Sequence, residues 1–133
     1  MRLRVCLALL TLPAVPAAGQ MVPVPAKPVR PGASMGPADQ WTRSRSACVD
    51  ARQLAGAIVI DPRTLELSLG GGQRARLLFA QDCAHLGYYG GFYYRADTDG
   101  RLCAGRDSVM GREGGACPIR EIATPRPPRR RGG

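Results

Sequence analysis

Cys83 and the chain's one histidine, His85, stand two residues apart. Residues two apart share a face on an extended segment, so two kinds of chemistry come into view. A thiolate beside an imidazole base is the beginning of a cysteine nucleophile. The same pair, joined by Cys103 and Cys117, would supply four ligands to zinc. Neither constellation is complete. Structural zinc sites favour paired ligands two to four residues apart, and only one pair here is that close. Nothing marks a third catalytic group, and no Cys-x-x-Cys redox motif is present. A thiol- or metal-dependent enzyme using Cys83 and His85 stands as the alternative reading, and it requires reduced thiols.

Other chemistry is no better supported. Asp61, Glu66, Asp82, Asp97, Asp99, Asp107 and Glu121 are scattered, mostly beside turns, and no Gly-x-Ser-x-Gly elbow occurs. Gly70, Gly71 and Gly72 are followed by Gln73 where a phosphate loop needs a lysine and a helix. Asp97 and Asp99 match the start of a calcium loop that lacks its remaining ligands. No catalytic, cofactor-binding or metal-binding residue is assigned, no cofactor is expected, and the reading is non-enzymatic.

The N-terminus, MRLRVCLALLTLPAVPAAGQ, decides the compartment. Arg2 and Arg4 precede an apolar run, Pro13 and Pro16 break it, and small residues follow. That order is a secretory signal peptide over residues 1–19. The run is shorter than the ~20 apolar residues of a transmembrane helix, and no later segment is apolar enough to span a membrane. A periplasmic or secreted location is expected. Cys6 leaves with the leader, so Cys48, Cys83, Cys103 and Cys117 remain, and an oxidising compartment pairs them as two disulfides. Four cysteines allow three pairings. Loop closure leans towards Cys83 with Cys103 and Cys48 with Cys117, the inner loop contributing about 3 kcal/mol.

Residues 20–46 carry five prolines and little aliphatic clustering, the composition of a disordered linker. Residues 124–133 form a basic Pro/Arg-rich tail. The folded unit is expected over residues 47–123, small enough to need its disulfides. The formal net charge is +9, yet nine arginines balance nine acids within 47–123. A specific nucleic-acid-binding domain would carry the basic face on its folded part. Here the excess lies in the flanks and clusters at Arg126, Arg129, Arg130 and Arg131, which suits weak contact with a polyanion or membrane surface.

Within the folded unit the signal is β. Leu65, Leu67 and Leu69 alternate with Glu66 and Ser68, and Ala75, Leu77 and Phe79 alternate with Arg74 and Arg76. Two period-two runs around a glycine turn make a hairpin. Ile58–Ile60 is a strand that stops at the Asp61-Pro62 turn, and 50–55 offers a short helical turn. Phe92–Ala96 and Arg101–Ala104 read as a second hairpin, and 108–110 and 119–122 as short strands. The expected fold is mainly all-β, a small antiparallel sheet or partly open barrel of five to six strands with two disulfides and disordered flanks.

Tyr88, Tyr89, Phe92, Tyr93 and Tyr94 form a concentrated aromatic segment among glycines. Tyrosine supplies contact area with a polar tip, so this segment is the candidate surface for an envelope protein or glycan. The competing reading places alternate members in the core.

The cysteine pattern, with Cys48, Asp61, Cys83, Leu102-Cys103 and Cys117, resembles a family of small exported Gram-negative proteins of unknown function. The resemblance covers residues 48–122 and implies a four-cysteine β domain. Members typically carry proline after the second cysteine, where this chain has Ala84. The resemblance implies no activity.

Overall fold

The computed structural model describes residues 21–28, 40–87, 91–95, 99–129 and 132. The leader at 1–19, Tyr88, Tyr89, Asp97, Arg130 and Arg131 lie outside the described residues. Among those described, ten strands run in chain order. They are β1 (Met21–Pro28), β2 (Trp41–Arg43), β3 (Cys48–Asp50), β4 (Leu54–Asp61) and β5 (Thr64–Leu69). They continue as β6 (Arg74–Phe79), β7 (Gly91–Arg95), β8 (Arg101–Cys103), β9 (Ser108–Gly111) and β10 (Ala116–Pro125).

The expected β5–β6 hairpin forms, with Leu65 opposite Leu77 and Glu66 opposite Arg76. Gly71 and Gly72 turn it at φ 72° and 73°, a region that a side chain would resist. β4 ends where Asp61 accepts a hydrogen bond from the Arg63 amide at 2.7 Å, a turn held by an aspartate side chain. The helical turn at 50–55 is a short 3-10 segment, Ala51–Gln53, capped by Asp50.

Eight strands make one sheet in the order β2-β10-β6-β5-β4-β1-β7-β9, and β3 pairs with β8 as a separate ribbon. The sheet bends back on itself through two strands that change partner. β10 pairs with β9 over 116–118, with β6 over 119–123 and with β2 over 123–125. β1 pairs with β7 over 21–25, then with β4 over 26–28. The fold is all-β, and the sheet is not closed into a barrel. Leu65, Leu67, Leu77, Phe79, Phe92, Val109, Ile119 and Ile122 fill the concave side.

Several expectations are corrected. The sheet system has ten strands rather than five or six, and the β1–β4 pairing is parallel. Two strands come from the stretch read as a disordered linker. β1 enters a sheet despite Pro23 and Pro25 because prolines two apart direct their missing N–H groups to one edge. Over 21–25 β1 is paired among the described residues on one edge, to β7. The domain therefore extends upstream of residue 47, and at the other end β10 continues into the stretch read as tail, as far as Pro125. The second hairpin does not form as expected. β7 pairs with β1 and β9, and β8 pairs with β3.

That last pairing also decides the disulfides. Cys48 lies directly opposite Cys103 in the β3–β8 ladder, with Cα atoms 4.0 Å apart, and the two are bonded. Cys83 is bonded to Cys117 instead of Cys103. Its amide donates to the Pro62 carbonyl at 2.7 Å, and the Ala80 amide donates to the Pro118 carbonyl at 3.1 Å, which brings the segment after β6 against β10. The favoured connectivity, Cys83 with Cys103 and Cys48 with Cys117, is therefore replaced. Loop length weighs entropy only, whereas strand pairing sets which sulfurs can meet.

Candidate functional site

The Cys83 and His85 pair does not assemble the chemistry its spacing suggested. Cys83 is buried and its sulfur is committed to Cys117. His85 is exposed on the next turn, with Nδ1 3.4 Å from a Glu113 carboxylate oxygen. Among the described residues no group of three or more His, Cys, Asp or Glu side chains is placed to hold a metal ion.

The aromatic segment splits by the period of a strand. Phe92 and Tyr94 point inward and are 1% and 6% exposed. They are core residues, which removes them from the candidate contact surface. Tyr94 donates its hydroxyl to the Ala51 carbonyl at 3.4 Å, and burial pushes its phenol above the ordinary value. Tyr93 faces outward from β7 and is half-buried.

Tyr93 belongs to a larger feature. Pro23 of β1 lies opposite Tyr93, Tyr93 lies opposite Met110 of β9, and Met110 lies opposite Ala116 of β10. One apolar row thus crosses four strands on the outer face. Met21, opposite Arg95 in the neighbouring row, is 39% exposed. Arg95 and Met110 line a hollow of about 300 Å³ together with Arg106, Asp107 and Ser108, the Asp107 carboxylate being engaged by Arg106. Arg95 is exposed and makes no ion pair among the described residues. Sequence reading found the tyrosine and missed the row, because two of its four strands fall in or beside segments read differently.

A second outer-face cluster was also missed. Glu66 was expected to face solvent, yet it is only 7% exposed. Its carboxylate accepts from Arg74 Nε at 2.7 Å and Arg76 Nε at 3.0 Å. Trp41 of β2 covers them, its ring centroid 4.1 Å from the Arg76 guanidinium carbon and 5.3 Å from that of Arg74. The Glu66–Arg76 pair was available from the hairpin register. The cover was not, since Trp41 lies in the proline-rich stretch.

The remaining charges are largely spoken for. Arg106 bridges Asp99 and Asp107 at 2.9 Å each, which holds the Asp99 carboxyl below the usual range. Asp50 is held low in the same way, chiefly by hydrogen bonds from Arg52. In the basic tail, Arg126 and Arg129 are exposed. No family model, curated protein or solved structure matches the chain.

Proposed function

We propose that this chain is an exported, non-enzymatic binding domain that docks an envelope protein on the outer face of β1, β7, β9 and β10. The observation that carries the reading is the in-register row Pro23, Tyr93, Met110 and Ala116. Proline and tyrosine give contact area at low ordering cost, and methionine adapts its shape to a partner surface. Arg95 beside the row has no ionic partner among the described residues. A partner segment that presents a carboxylate among apolar groups complements both features.

Export rests on the leader and on two disulfides, the usage of an oxidising compartment. No helix among the described residues is long and apolar enough to cross a membrane. The thiol alternative needs a free Cys83, and that sulfur is bonded. The double variant Tyr93→Ala with Arg95→Glu tests the reading. It should melt at the wild-type temperature and lose its complex when periplasmic extract is run under native conditions. Retention of the complex would count against this face.

A further inference from the structure

A separate cleft of about 510 Å³ lies between the β3–β8 ribbon and the main sheet where β5 and β10 end and β6 begins. It shares no residue with the Tyr93 face. Its size falls within the ~300–1,000 Å³ of small-molecule sites. Its polar lining includes Ser44, Asp50, Gln53, Gln73, Arg74 and Thr124. The two charged members are already paired. Asp50 accepts from Arg52 at 2.9 and 3.1 Å, and Arg74 donates to Glu66 at 2.7 Å. An ionic ligand therefore meets no unmatched countercharge here.

The neutral members are different. The side chains of Ser44, Gln53, Gln73 and Thr124 make no hydrogen bond among the described residues. Two amides and two hydroxyls offer donors and acceptors in nearly equal number. Half-buried Leu69 and exposed Pro125 add apolar surface to the same wall. Mixed donors and acceptors without net charge, next to small apolar patches, match the hydroxyl edges and C–H faces of a sugar. We infer that this cleft is a binding site for a neutral oligosaccharide.

The chain carries its own reporter. Trp41 is the one tryptophan, and the guanidinium of cleft residue Arg74 lies 5.3 Å from its ring centroid. The oxidised full-length mature protein would be titrated with maltotriose and with chitotriose while Trp41 emission is followed. The expected result is a saturable change with at least one of them. Gln53→Ala combined with Gln73→Ala should weaken that binding about tenfold or more. Both positions are exposed, so the melting temperature should hold, and amide chemical shifts would locate the contact should emission stay silent. Absence of any saturable emission or shift change with both sugars overturns the inference. So does binding that the double variant leaves intact, since the sugar would then sit elsewhere. Failure here leaves the Tyr93 reading untouched, because the two sites share no residue.

Discussion

The guanidinium carbon of Arg76 sits 4.1 Å from the centroid of the Trp41 ring while its Nε donates to Glu66 at 3.0 Å. A three-residue strand, β2, is thereby fixed over a carboxylate that would otherwise face water. Trp41→Ala should cost about 1–3 kcal/mol from lost cation–π contact and burial. A double-mutant cycle with Arg76→Ala should return a coupling of about 0.5–2 kcal/mol. Urea unfolding measures both, and additive effects would deny the contact its energetic role.

Glu66→Ala is expected to be the more damaging change. The Arg76 side chain is 11% exposed, and losing its carboxylate leaves a nearly buried cation unpaired. The cost should be about 3 kcal/mol. Replacement of Glu66 by Gln should recover part of it, because an amide oxygen still accepts one hydrogen bond.

The two disulfides make a prediction that peptide mapping can check directly. Digestion without reduction should release Cys48 joined to Cys103 and Cys83 joined to Cys117. The bridges span 55 and 34 residues. On chain-entropy grounds, loss of either should cost about 4 kcal/mol. Serine pairs at the same positions, followed by thermal unfolding, give the measured value.

Much of this fold was legible in local pattern and little of it in long-range pairing. The β5–β6 hairpin was readable because period-two alternation and a glycine turn fix register within sixteen residues of chain. The pairing of β3 with β8 was not, since nothing local to Cys48 says that Cys103 will lie opposite. β1 was misread for a specific reason. Proline content signals disorder by composition, but a strand needs donors only on its paired edge. The same error hid Trp41 and the Pro23 end of the Tyr93 row.

Alternate residues of β7 should behave in opposite ways. Phe92→Ala removes a core ring and should cost about 3–5 kcal/mol. Tyr93→Ala should cost about 1 kcal/mol or less, as expected for a half-buried outward side chain. Gly91→Ala belongs with the damaging set, because an added Cβ would lie 2.7 Å from the Val24 carbonyl oxygen. Thermal unfolding of the three variants checks the alternation.

Stability should fall at both ends of the pH range. Asp99 and Asp50 titrate below their ordinary value in the folded state, chiefly through hydrogen bonds from Arg106 and Arg52. A depressed folded pKa gives stability that is present above about pH 4 and is lost as pH falls further. Both carboxylates are at the surface, so the loss is modest, and Asp99→Asn should make the acid decline shallower. Tyr94 is shifted the other way by burial. Its neutral form contributes fully below about pH 10, and that contribution is lost as pH rises beyond. Tyr94→Phe should remove this alkaline decline.

The proposed docking face is tested most directly by a photo-crosslinking side chain placed singly at positions 93, 110 and 58 in the exported protein. Ile58 is 37% exposed on β4, away from the row, and serves as the control. Irradiation in cells should give one discrete protein-sized product from 93 and from 110, none from 58, and none from 93 when Arg95→Glu is also present. Equal products from all three positions, or none from 93 and 110, would contradict the account.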